Sequence, residues 1–192
     1  MKQLRVRVFS MLLATIVIGT ISLSFYDVTA ISQERKLPEP ASIGVFYFLD
    51  SPNNSLLSME RQVAVSKMRG LLKEQFVIQL QGEKSTFRLR NHQKMEFVVS
   101  LFNGVDPNNY RLFLLNVKQG KRELILAEAT LKGSKSNFVQ VPFDVTKFGE
   151  AYKYAPSQAL SPGEYAFFRR GSNDAFLFGV DAPKEEENKK PN

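Results

Sequence analysis

Apolar and polar positions alternate with a period of two over much of residues 76–145. Phe76, Ile78 and Leu80 alternate with Val77 and Gln79, Phe87 and Leu89 with Thr86, Arg88 and Arg90, and Met95, Phe97, Val99 and Leu101 with Glu96, Val98 and Ser100. A repeat of two sends successive side chains to opposite sides of a pleated strand, so each run predicts a strand with one buried face. Tyr110 to Val117 and Glu123 to Ala129 flank Lys118-Gln119-Gly120-Lys121, which predicts a short hairpin with Gly120 at a position that needs positive φ. Gly82-Glu83-Lys84-Ser85 reads as another hairpin turn, between the strands on either side. Val139, Val141, Phe143 and Val145 line one face of a later strand. Pro142, with no N–H to give to a ladder, places that strand at an edge or a bulge.

Other runs are less regular. Ile43 to Leu49 is continuously apolar between turn residues, the pattern of a strand covered on both faces, and Leu56 to Met59 returns from the turn at residues 50–54 as its hairpin partner. In residues 61–74, Ala64, Met68, Leu71 and Leu72 recur at helical spacing while Gly70 interrupts them, so helix and irregular strand both stay open. Tyr152 to Ala155 adds one more short strand.

The clearest architectural signal lies near the C-terminus, in Leu160-Ser161-Pro162-Gly163-Glu164-Tyr165-Ala166-Phe167-Phe168 and then Ala175 to Asp181. Pro162 pre-sets one turn dihedral and Gly163 is expected to take the left-handed one, just before a strand that opens at Tyr165. A tyrosine there suits a tyrosine corner, in which the phenol hydroxyl bonds back to upstream backbone. The expected fold is all-β: an antiparallel, immunoglobulin-like β-sandwich over residues 43–181.

Before that domain stand Lys2, Arg5 and Arg7, the uncharged stretch 8–25, and Val28-Thr29-Ala30. This is the pattern of a secretory signal peptide (residues 1–30) cut after Ala30, and it predicts an exported protein, whether periplasmic, associated with the outer membrane or secreted. The alternative is an uncleaved segment that anchors the chain through residues 8–25, whose length is at the lower edge of a membrane span. Residues 31–42 form a proline-containing leader, and residues 182–192 hold nothing to bury after Ala182 and are expected to be disordered. The 162 residues after Ala30 suffice for one domain with its own core. Without cysteine, that core must hold by apolar packing and sheet hydrogen bonds, and the 16 Phe and 6 Tyr supply the material.

Charge narrows the choice of partner. The net charge is +7, of which +5 remains beyond residue 30, spread over turns and strand faces as a solvated surface would have it. An anionic glycan or lipid surface is the alternative destination for that charge. Export and the lack of a recognition motif argue against nucleic acid.

Candidate chemistry is sparse. His92, the only histidine, sits in the polar turn Arg90-Asn91-His92-Gln93-Lys94 and reads as structural. With no second histidine and no cysteine, the usual zinc ligand sets are missing, and no Gly-x-Ser-x-Gly elbow offers a nucleophile. Glu83 separates Gly82 from Lys84-Ser85, so the order of a phosphate loop is absent. Glu60, Glu83, Glu96, Asp106, Glu128 and Asp144 are expected on solvent-facing strand or turn positions. Asn53-Asn54-Ser55 is a formal glycosylation triplet. No catalytic, metal or cofactor residue is assigned; Pro162, Gly163 and Tyr165 carry structural roles.

Leu57-Ser58-Met59-Glu60-Arg61-Gln62, Gly82-Glu83-Lys84-Ser85, Asn103-Gly104-Val105-Asp106-Pro107, Gly120-Lys121-Arg122-Glu123, Leu160 to Tyr165 and Phe178-Gly179-Val180-Asp181 resemble, in that order, a family of exported bacterial β-sandwich domain proteins. The resemblance covers residues 43–181 and implies a bacterial source and a β-sandwich; it brings no functional residues with it. Two classes of function stay open. One is a cell-envelope module that binds an envelope protein or glycan through an edge strand or a loop-lined end of the sandwich, or is structural. The other is an exported carbohydrate-active enzyme that works with carboxylates only. Lack of tryptophan weakens the second, although Tyr47, Tyr110, Tyr152 and Tyr154 could offer ring faces.

Overall fold

Ala166 and Phe167 are neighbours on one strand and point to opposite faces, yet neither has exposed surface, and the same holds for Leu177 and Phe178 on the strand beside it. A sheet that buries both of its faces at this point must be covered twice. The computed structural model describes residues 38–71, 73–90, 94–130, 133–136 and 138–183. The uncharged stretch 8–25, the cleavage site at Ala30, leader residues 31–37, His92 and tail residues 184–192 lie outside the described residues.

The described chain is all-β, with one 3₁₀ turn at Pro107–Asn109 and no α-helix. Its strands are β1 Tyr47–Asp50, β2 Ser55–Ser58, β3 Glu60–Val63, β4 Val65–Arg69, β5 Glu74–Gln81, β6 Arg88–Arg90, β7 Phe97–Ser100 and β8 Tyr110–Lys118. They continue as β9 Lys121–Thr130, β10 Gly133–Lys135, β11 Val139–Val141, β12 Phe143–Phe148, β13 Ala151–Pro156, β14 Gly163–Arg169 and β15 Asp174–Asp181. One sheet runs β12-β13-β7-β1-β2. The other runs β3-β15-β14-β8-β9-β5-β4, with β11 beside β8, β10 beside β9 and β6 beside β15. The named strands pair antiparallel except β6 with β15.

One face of β8, β14 and β15 presents Tyr110, Leu112, Tyr165, Phe167, Phe176 and Phe178 to Phe48, Phe97, Val99 and Tyr154 of the first sheet and to Phe46 just before β1. Phe46 stacks on Phe167 with ring centroids 4.4 Å apart. Full burial of each such ring stabilises by about 1.5–3 kcal/mol. The opposite face presents Phe113, Leu115, Ala166, Phe168, Ala175 and Leu177 to a second core with Leu80 and Leu124. That second cover comes from the sheet itself. β8 pairs with β9 only through Asn116–Lys118 and Lys121–Glu123. Further up β8, Leu112–Leu114 pair with β11 instead, while β9 from Leu124 onward keeps β5 as its neighbour. The sheet therefore divides, and the β4-β5-β9 leaf packs its apolar face against the outer face of β8, β14 and β15.

Three expectations need correction or resolution. Between residues 61 and 74 the open choice falls to strand at 61–63 and 65–69, because Glu60–Val63 pair with β15 and Val65–Arg69 with β5; ladder hydrogen bonds outweigh the helical spacing there. Ala64, at the step between these two pairings, donates its N–H to the Asn173 carbonyl at 2.8 Å. Gly82 to Ser85 is not a hairpin turn: the chain leaves β5 there and crosses to lay β6 parallel to β15. Val139 is exposed, whereas Val141 is buried and Phe143 and Val145 pack against the main core. Pro142 marks the point where the chain changes sheets, since β11 before it joins β8 and β12 after it joins β13 as the edge of the first sheet.

Candidate functional site: a crevice where the sheet divides

Where β9 leaves β8 the two apolar faces part, leaving a crevice of about 290 Å³. Phe113 and Phe168 form one wall, and Ile78, Leu124 and Leu126 the other. Register explains the first wall. Phe113 lies opposite Ala166 and Arg111 opposite Phe168, so strand alternation sets Arg111 on the same face as both rings. Arg170, two residues beyond Phe168, prolongs the ladder by donating its N–H to the Asn109 carbonyl at 2.9 Å. On the other wall the pairing steps from Phe76–Ala127 to Val77–Ile125, which leaves Leu126 as an extra residue in β9. A bulge of this kind re-aims a side chain, and here it supplies Leu126 to the crevice.

The mouth is cationic. Arg61, Arg69, Arg88 and Arg122 each pair with a carboxylate. Among the described residues no carboxylate pairs with Arg111, Arg169 or Arg170. All three line the crevice, and no acidic residue does. Arg111 donates to the Tyr110 carbonyl at 2.8 Å and to the Asn108 carbonyl, which holds its guanidinium at the rim. Arg169 points the other way and meets the Tyr110 hydroxyl, whose pKa is raised by burial and pulled back by this cation. Beyond Arg169 lies a second cavity of about 180 Å³, where Arg61 pairs with Asp174 at 3.0 Å. There Asp174 neutralises one of the two lining arginines, Arg61.

The chain's buried ions are consumed internally. Arg122, 1% exposed, bonds Glu60 at 2.8 Å and stands 3.7 Å from Glu164. It also donates to the carbonyls of Gln81 and Gly82 at 2.6 and 3.1 Å. Arg88 pairs with Glu164 and, at 2.6 Å, with Asp181. Glu164 further accepts the Ser85 N–H at 2.7 Å, and Glu60 the Thr86 N–H at 2.7 Å. Together these bonds pin the segment between β5 and β6. Arg88 lies across Gly179, where a Cβ would overlap its guanidinium. Burial pushes the Glu60 carboxyl up, but bonds from Arg122, Ser85 and the Thr86 backbone outweigh it and hold the pKa at about 2.

Several acids expected at solvent-facing positions are in fact covered. Glu96 and Glu128 are buried and Glu60 is partly buried, with Lys94 and Lys153 bonded to Glu96, Lys73 and Gln75 to Glu128, and Arg122 to Glu60. Glu128 is lowered by a hydrogen bond from Gln75 and by Lys73. Glu96 is raised by burial and lowered, on balance, by Lys153 and Lys94. Glu83, Asp106 and Asp144 are exposed as expected. Glu83 accepts the Gly120 N–H at 3.2 Å and Asp106 caps the 3₁₀ turn.

The three structural residues singled out in the sequence meet at one corner. The Tyr165 hydroxyl donates to the Ser161 carbonyl at 2.8 Å, across the turn made by Pro162 and Gly163. Gly163 does not take positive φ. It is required for space: a Cβ would sit 2.9 Å from Leu114 Cδ1 and 3.5 Å from Tyr165 Cε2. Ala30 lies outside the described residues.

The corner opens the same strand, β14, whose far end lines the crevice, yet neither Arg111 nor Arg170 stood out in the sequence. Their signal was an arginine two residues from a phenylalanine, in Arg111-Leu112-Phe113 and Phe168-Arg169-Arg170. Among the described residues, no group of three or more His, Cys, Asp or Glu could hold a metal ion. No helix among them is long and apolar enough to cross a membrane. No family model, no curated protein and no solved structure matches the chain.

Proposed function

We propose that this chain is an exported cell-envelope module of immunoglobulin-like sandwich architecture that binds a partly apolar ligand in the crevice between β9 and the β8–β14 pair. The observation that carries the reading is the crevice itself: apolar walls, a volume of about 290 Å³, and Arg111 and Arg170 at its mouth with no acid among the lining residues. Small-molecule sites are of this kind, mostly apolar with a few polar groups that fix orientation. Export is supported by the charged start, apolar stretch and Ala30 of the sequence, and the sandwich reading by the corner at Tyr165.

A carboxylate-only enzyme is less well supported. Its general acid needs a raised pKa, whereas Glu60, Glu96, Glu128 and Asp181 are all lowered by cations or amide donors. Edge-strand pairing is also less well supported, because β12 opens after Pro142 and exposes Asp144 and Lys147, residues that guard an edge.

The test is a titration with Nile red, a neutral dye that brightens in apolar surroundings, against the wild type and Leu126→Trp, which fills the crevice. Saturable binding that Leu126→Trp abolishes, without a change in unfolding midpoint, is the expected result. Dye binding that ignores the substitution, or turnover of a polysaccharide panel by the purified protein, would overturn the proposal.

A further inference from the structure

We infer that the ligand is a single-chain anionic amphiphile, a monomeric fatty acid, with its alkyl chain between Phe113, Phe168 and Leu126 and its carboxylate at Arg111 and Arg170. This rests on the ligand-binding reading above and narrows it to a chemical class.

The charge sets the head group. Two guanidinium-bearing residues occupy the same strand face as the two rings, and neither has a carboxylate partner among the described residues. An incoming carboxylate supplies the missing anion, and guanidinium geometry suits its two oxygens. A neutral or cationic head would leave the arginines uncompensated or repelled.

The walls set the tail. Phe113 and Phe168 are 7% exposed and Leu124 1%, so the apolar surface is recessed behind the exposed Arg111 and Arg170. A bilayer would need the apolar residues to project; a recess takes a chain that enters end on. The volume lies at the lower end of small-molecule sites, roughly 300–1,000 Å³, which favours one chain over two. The track also continues outward. Phe76 lies opposite Met68 across β4 and β5, on the same side as Ile78, and both are exposed, at 37% and 64%. An alkyl chain longer than the crevice can lie along this pair.

The experiment compares laurate with dodecanol as displacers of Nile red, on wild-type protein and on the Arg111→Gln/Arg170→Gln double variant. Both substitutions are at exposed positions, and an unchanged unfolding midpoint verifies the fold. Laurate should displace the dye at a concentration about ten-fold lower than dodecanol, a difference of about 1.4 kcal/mol. In the double variant the two should agree within about two-fold. Equal potency on the wild type would overturn the fatty-acid assignment while leaving a ligand site in place. Absence of saturable dye binding would overturn both readings. Co-sedimentation with phosphatidylglycerol vesicles without displacement by monomeric laurate would assign the arginines to a membrane surface and overturn the proposal.

Discussion

Glu60 and Arg122 meet at 2.8 Å in a setting where the guanidinium is 1% exposed. A buried pair of this kind is costly to break, because each removed partner strands a charge. Arg122→Met should destabilise the domain by about 3–5 kcal/mol in urea unfolding, since Glu60 and Glu164 lose their shared cation. The double variant Glu60→Met/Arg122→Met should recover part of that loss. Equal destabilisation by the single and double changes would contradict this account.

Glu60 also gives the domain an acid limit. Its folded pKa of about 2 lies below the ordinary value of 4.5, so its contribution is fully present above about pH 4.5 and is lost as pH falls towards 2. Glu96, Glu128 and Asp181 are lowered too and act in the same direction. Thermal unfolding followed from neutral to acid pH should show a falling midpoint through this window. Glu60→Gln should be less stable at neutral pH and show a shallower fall; an identical slope would remove Glu60 from the explanation.

At the corner, Tyr165→Phe removes the hydrogen bond to the Ser161 carbonyl, a loss of about 0.5–1.5 kcal/mol. Gly163→Ala should destabilise as well, by pressing on Leu114 and the Tyr165 ring. If Tyr165→Phe unfolds at the same urea concentration as wild type, the corner bond contributes nothing.

Gly179→Ala should act at a distance from its own backbone. A methyl group there displaces Arg88 from Glu164, and Glu164 is also the acceptor for the Ser85 amide at 2.7 Å. Hydrogen exchange at Ser85 should therefore quicken in Gly179→Ala. Unchanged protection at Ser85 would show that Arg88 does not position Glu164.

Much of the strand content could be read from the sequence because period-two alternation is a local property. Phe97 with Val99, and Val141 with Phe143 and Val145, pointed to the main core directly. What alternation does not encode is which strand lies next to which. Thus Gly82 to Ser85 looked like a hairpin turn, when Arg88 to Arg90 belong beside a strand at the far end of the chain. Arg122 looked like one of many surface cations, although it shares a strand face with Leu124 and is as deeply buried. The crevice was invisible for the same reason: it exists because β9 changes neighbours after Glu123, and a single strand's pattern is unaffected by that change.

The last strand, β15, holds together partners from early in the chain. Arg61 and Asp174, which pair beside the β3–β15 ladder, are 113 residues apart, and among the described residues β6 pairs with β15 alone. Such long-range pairing is slow, because loop closure precedes any reward in contacts. A nascent chain that has not yet reached Asp174 has no ladder partner for β3 or β6 among the described strands, so both can be placed only once β15 has been made.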